Sequence, residues 1–277
     1  MAEKWSRAPK LALWKGEGEG MGRTYVDPTD GDTRHPSVTT ILKHEDKSDL
    51  VQWAANMVAQ KAVDRLDIVS GDPEKAYDRL RFAHNDARDE RGWVGSGVHA
   101  RIEAECEGTW DFPDMDSEQE AMFAQWESFC ETYSVRVLLT EFTVRGEGYL
   151  GTADALIEYA DPFTGETKRA IVDWKTSKSL HDTYSMQLAA LSRGLYRLQE
   201  VPEGTEGAFL RKGKTRAENS WWVRAEMPEF DTLAMVHLRD RFWSFVEVEH
   251  ADLYYDAFMA YRQVHMAKLA ISQAKKS

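Results

Sequence analysis

Residues 149–160, YLGTADALIEYA, and 168–175, KRAIVDWK, stand on either side of Asp161-Pro162-Phe163-Thr164-Gly165. Two apolar-rich runs separated by an Asp-Pro…Gly turn read as successive β-strands. Asp154 and Asp173 lie symmetrically about that turn, so symmetric pairing sets them opposite one another, with Cβ atoms about 5 Å apart. Opposed carboxylates repel. The arrangement is well motivated when a cation lies between them, and oxygen ligands of this kind suit a hard divalent ion such as Mg²⁺. Lys175 falls on the same strand face as Ile171 and Asp173, while Ala170, Val172 and Trp174 take the other face. A lysine beside metal-bound carboxylates can orient a water or stabilise charge developing on a phosphate. Taken alone, the Asp-x-Lys triplet also reads as a cross-strand salt bridge on a solvated face.

Outward from the hairpin, residues 135–145 (VRVLLTEFTVR) read as a third strand in which Glu141 interrupts an apolar run. Upstream, the pattern predicts helices over 48–69, from Pro73 to about Arg88, over 94–107 and over about 117–133. The third of these begins at a glycine-rich entry, Gly95-Ser96-Gly97, and puts His99 and Glu103 on one face. Residues 1–36 read as turns with short strands. The run Gly16–Gly22 lacks the Lys-Ser/Thr ending of a phosphate loop and reads as a flexible turn. Downstream come a helix over about 182–198 with Tyr184 and Gln187, strands near 206–212 and 220–226, and a long helix or helix pair from Phe230. The expected fold is α/β, a core of helix, three strands, helix and strand with helical additions at both ends. Its divisions are 1–91, 92–226 and 227–277.

The 277 residues are 42% hydrophobic and carry a net charge of −12, which argues against a generally basic nucleic-acid coat but not against a nucleic-acid enzyme. Only two cysteines, Cys106 and Cys130, are present, too few for a disulfide framework or a four-cysteine zinc or iron–sulfur site. No apolar run approaches the roughly 18 residues of a membrane span, and a signal-peptide core is missing. A soluble, cytoplasmic protein is expected. The charge is uneven: residues 161–224 hold eleven basic and eight acidic residues, so this segment is +3 and the remainder −15. Basic residues are expected to gather around the carboxylates. The densest basic run, Arg211, Lys212, Lys214 and Arg216, is expected either to touch a DNA backbone or to form a solvated loop. Gly213-Lys214-Thr215 mimics a Walker A ending but has the wrong spacing to Gly207. Of the adjacent Trp221 and Trp222, one must point inward on a strand.

The ordered segments GSGVHARIE, TEF, GTADALIEY, IVDWKTSK and YSMQLAAL, with Pro36-Ser37-Val38-Thr39 and Trp53-Ala54-Ala55 upstream, resemble the PD-(D/E)XK nuclease superfamily in its RecB-like, phage-type exonuclease branch. The resemblance spans about residues 92–212 and implies a restriction-endonuclease-like core. It implies Mg²⁺ or Mn²⁺, one or two ions, held by His99, Asp154, Asp173 and the Trp174 carbonyl. Lys175 is then the catalytic cation, with Glu141 and Gln187 beside it. DNA is the implied partner, contacted by Gln187, Tyr184 and Lys178. The setting would be phage recombination or replication in a host cytoplasm, with a homo-oligomer or a recombination protein as possible company. A flap or branched-DNA endonuclease and an inactive DNA-binding protein on the same fold are the alternatives. Leu191 departs from the branch, which has Tyr four residues after the glutamine, and the four cysteines of its iron–sulfur members are missing.

Overall fold

A computed structural model describes residues 10–13, 22–45, 48–109 and 114–275, without the side chains of Asp49 and Pro73. Residues 16–21 of the glycine-rich run lie outside these. The N-terminal region holds β1 (Ala12–Leu13), β2 (Thr24–Asp27), β3 (Thr33–Pro36), α1 (Val38–Ile41), α2 (Ser48–Asp64), α3 (Leu66–Ser70) and α4 (Pro73–Leu80). Then follow α5 (Ala83–Glu107), α6 (Ser117–Thr132), β4 (Arg136–Gly146), β5 (Tyr149–Ala160), β6 (Thr167–Lys175), α7 (Asp182–Ser192) and β7 (Tyr196–Val201). The chain closes with β8 (Phe209–Arg211), β9 (Ser220–Ala225), β10 (Thr232–Leu238), β11 (Trp243–Glu247) and α8 (Ala251–Ala274).

Eight strands form one mixed sheet in the order β11-β10-β6-β5-β4-β7-β9-β8, in which β10 beside β6 is the parallel pair. Ala155↔Val172 and Leu156↔Ile171 show the symmetric hairpin register expected from the sequence. The strand alternation sorts the core into two layers. Ile171, Leu156, Leu233 and Met235 pack on one face with α1, α7 and α8. Ala170, Val172, Trp174 and Val236 pack on the other with α5 and α6. The protein is therefore a mixed α/β structure with helices on both faces of a large sheet. Ends are fixed locally: the Ser37 side chain accepts the Thr40 N–H to open α1, and Asp116 and Gln119 form a reciprocal capping box at α6.

Three expectations are corrected. The segment after Phe230 is not helical at its start, because residues 232–247 form β10 and β11 and join the main sheet. Residues 232–247 thus belong to the main sheet, and the expected long helix begins only at Ala251. A parallel strand buried on both faces shows a nearly continuous apolar run (TLAMVHL), whose periodicity cannot be told from that of a buried helix. Second, α7 ends at Ser192, and Tyr196–Val201 is a strand between β4 and β9. Third, the glycines at 95 and 97 do not open a helix but lie inside α5.

Gly97 is there for close approach. A Cβ at that position would meet Gln119 Nε2 at 2.1 Å, where this capping glutamine also bonds the Trp93 carbonyl. Gly97→Ala is expected to overpack the α5–α6 contact and destabilise the protein by about 1–3 kcal/mol. Urea denaturation should show a lower midpoint at unchanged slope.

Candidate active site

The β5–β6 ladder runs from Ala160↔Thr167 to Ala155↔Val172 and stops, although both strands continue. Beyond that point β5 stays paired with β4, and β6 with β10. The two strands fork. Asp154 and Asp173 are the next pair in register and sit where the ladder parts. Asp154 Oδ2 accepts the Trp174 N–H at 2.8 Å across the opening. In β4, the pairs Thr140↔Ala155 and Phe142↔Ala153 bracket Glu141, so it stands opposite Asp154. Three acids thus occupy one row across β4, β5 and β6. Glu141 has φ 43°, a left-handed conformation inside a strand that costs a non-glycine residue about 1–3 kcal/mol and is commonest at functional positions.

Helices from both faces reach this fork. From α5, His99 Nδ1 lies 3.7 Å from Asp154 Oδ2. From α7, Gln187 Nε2 donates to Asp173 Oδ1 at 3.2 Å, and the Tyr184 ring lies under the Lys175 ammonium, 4.4 Å from ring centre to Nζ. Lys175 itself ion-pairs with Asp173 Oδ2. Leu191 is buried in the core, and Tyr184 is the aromatic ring beside the lysine.

Burial dominates the electrostatics. It pushes the Asp173 carboxyl up to about 7, with Lys175 opposing and the Asp154 charge adding to the rise. It raises Asp154 as well, against the pull of Lys175 and the Trp174 N–H. Glu141 rises through burial and then through the charges of Asp154, Glu103, Asp173 and Glu107. Burial works to deprotonate Lys175, but Asp173 and Asp154 outweigh it and keep the ammonium charged. Burial and the Lys175 charge hold the His99 imidazole neutral, while Asp173 and a hydrogen bond to the Trp174 backbone work the other way.

Among the described residues, no three His, Cys, Asp or Glu side chains form a ready-made metal cage. The donors at the fork are nevertheless of the right chemistry. Asp173 Oδ2 is buried, and its one partner is the Lys175 ammonium. Asp154 is beside it, His99 offers a neutral imidazole, and the Trp174 backbone lies against both. Carboxylates with one imidazole and a carbonyl fit Mg²⁺ or Mn²⁺.

The sequence expectations for DNA contacts divide. Lys178 is exposed in the loop just beyond Lys175. Arg211, Lys212, Lys214 and Arg216 are not brought to the fork. They belong to β8, the sheet's edge, and its following loop, five strand positions from β6, or about 24 Å at about 4.8 Å per strand. Arg211 donates to the Lys10 carbonyl, and Glu200, Glu203, Glu206 and Glu218 nearly balance the local charge. The basic residues therefore do not gather around the carboxylates: Lys168 pairs with Asp161, Arg169 with Glu158 and Arg193 with Asp252. The Lys214 N–H goes to Glu218 and the Gly213 N–H to Asn219, an ordinary turn. Trp222 is buried and Trp221 half-buried, as adjacent strand positions require.

Two residues near the acids were not legible in the sequence. Glu107 adds its charge at Glu141, one helical turn beyond Glu103. Tyr25, from β2, is fully buried, bonds Thr152 at 3.0 Å and feels the Glu141 and Asp154 charges. A lone aromatic in a four-residue strand carries no signal of that destination.

No protein-family model matches the chain, and no curated protein matches it significantly.

In the metal-free protein, Asp173 keeps its proton up to about pH 7, whereas in the unfolded chain it loses it near 3.9. Between those values the folded state binds more protons, so stability falls as pH rises from about 4 to about 7. Urea melts in EDTA across this range should show that slope, and Asp173→Asn should reduce it, Asp154 and Glu141, which burial also raises, supplying the remainder. An unchanged slope in the variant would contradict the assignment.

Proposed function

We propose that the protein is a divalent-metal-dependent deoxyribonuclease, an exonuclease hydrolysing phosphodiester bonds. The observation that carries this is the fork itself, where Asp154, Asp173 and Lys175 converge with Glu141 and His99 although they come from four separate elements. Buried like charges are expensive, and a purely structural ion pair needs one acid rather than three. The PD-(D/E)XK resemblance and the phage-type setting rest on the sequence motifs, and the fork supports the resemblance alone, by joining the same residues.

A divalent ion bound here would supply a water of lowered pKa and positive charge against the scissile phosphate. The chain's own groups have distinct parts. Asp154 and Asp173 would hold the ion, with His99 and the Trp174 carbonyl completing the set. The Lys175 ammonium, kept charged by the two aspartates and steadied over Tyr184, would stabilise negative charge that grows on the phosphate oxygens. Gln187 fixes the orientation of the Asp173 carboxylate. Glu141 retains its proton at neutral pH in the metal-free protein and can donate a hydrogen bond where an ionised carboxylate only accepts. Lys178, exposed on the adjoining loop, would meet a backbone phosphate.

Digestion of end-labelled single- and double-stranded DNA with Mg²⁺ and with Mn²⁺ tests the activity. Asp173→Ala is expected to reduce cleavage to background while leaving the circular dichroism spectrum unchanged. Metal-dependent cleavage retained in that variant sinks the proposal. A circular single strand should resist, and its cleavage would reassign the protein as an endonuclease.

A further inference from the structure

Strand β10, which enters the sheet beside β6, and the segment that follows it bring two side chains, His237 and Arg239, to the backbone just beyond Lys175. His237 is the register partner of Lys175 and is 7% exposed. Its Nε2 lies 2.6 Å from the Ser177 carbonyl oxygen, and a carbonyl only accepts, so Nε2 carries the hydrogen. Arg239 Nη1 donates to the Thr176 carbonyl at 2.8 Å and to the Ser177 carbonyl at 3.2 Å. Residues 176–181 have no helix or strand of their own. They link Lys175 at the end of β6 to α7, which carries Tyr184 and Gln187, and they carry Lys178.

We propose that His237 and Arg239 are positioning residues that clamp the Thr176–Ser177 backbone and thereby fix Lys175 and Lys178 relative to the carboxylates. The role rests on the nuclease reading above. The β6 backbone is held through Lys175 by pairing to β10, and the ladder ends there. Beyond it, two successive carbonyls would otherwise look only to water. Three hydrogen bonds, one from His237 in β10 and two from Arg239 just past its end, replace that freedom with one geometry. Neither side chain needs to touch substrate, since a displacement of about 1 Å at a catalytic group can lower a rate by about 100-fold.

Arg239→Ala, Arg239→Lys and the near-isosteric His237→Asn separate this role from simple stability. Amide hydrogen exchange of residues 176–181 is read by mass spectrometry, and single-turnover cleavage of end-labelled DNA is measured in Mg²⁺ at saturating protein. Arg239→Ala is expected to speed exchange in that segment alone. It should slow single-turnover cleavage by about 10- to 100-fold with the thermal midpoint little changed, and Arg239→Lys should recover part of the rate. His237→Asn should act in the same direction. Unchanged exchange in both Arg239→Ala and His237→Asn overturns the clamp. Faster exchange with an undiminished cleavage rate overturns the positioning role, as does a rate that falls only in proportion to the folded fraction. A wild-type protein that cleaves no DNA removes the nuclease reading and the catalytic consequence with it. The exchange measurement then decides by itself whether the two side chains hold the loop.

Discussion

The site depends on carboxylates placed side by side in a poorly solvated gap between two strands. Asp173 is almost fully buried, Asp154 stands opposite it, and Glu141 continues the row on the next strand. Left alone, such a row would raise every member's pKa until protons replaced the negative charge. The protein answers with one ammonium, Lys175, one amide, Gln187, and one backbone N–H, that of Trp174. Lys175 and Gln187 each take one oxygen of Asp173, and the Trp174 N–H takes one of Asp154. One ammonium stands against three acids, so the raised carboxyl pKa values reflect an excess of negative charge that a bound divalent ion would relieve.

The fold serves that gap. A continuous ladder between β5 and β6 would put hydrogen bonds where the acids now stand. Dividing the loyalties of the two strands, β5 to β4 and β6 to the parallel β10, opens the sheet without leaving long edges unpaired. Helices on opposite faces then enter the same opening, α5 with His99 and α7 with Gln187 and Tyr184. Small residues make the entry possible: Gly95 leaves room for Thr176, since a Cβ there would lie 2.8 Å from its hydroxyl. The left-handed Glu141 shows that the central strand accepts local strain to present its acid.

The net charge of −12 takes on a more specific meaning in three dimensions. The +3 segment found in the sequence is not a surface patch, because its lysines and arginines are spread along strands and loops and several are neutralised by nearby acids. Near the fork, Lys175 is paired with Asp173 and Lys178 is exposed on the next loop. The Arg211–Arg216 run lies across the sheet at its other edge. Electrostatic attraction of a polyanion to this protein would therefore be local to the site and helped by bound cations rather than spread over the surface.

Much of the centre was written in the chain. The turn at Asp161–Gly165 set the hairpin register, and strand alternation assigned Asp173 and Lys175 to one face and Trp174 to the other, because turn chemistry and a period of two are local properties. His99 and Gln187, singled out in the sequence, each stand close to an aspartate, and Glu141 stands opposite Asp154. Tertiary structure alone decided that β5 and β6 separate at the acids, that Tyr25 returns from the N-terminus, and that residues 232–238 form a strand in the middle of the sheet. That last run is apolar throughout because both its faces are covered, and a sequence without alternation does not say which backbone it will adopt. The position of the basic run was equally invisible, since distance across a sheet follows from strand order, which non-local pairing determines.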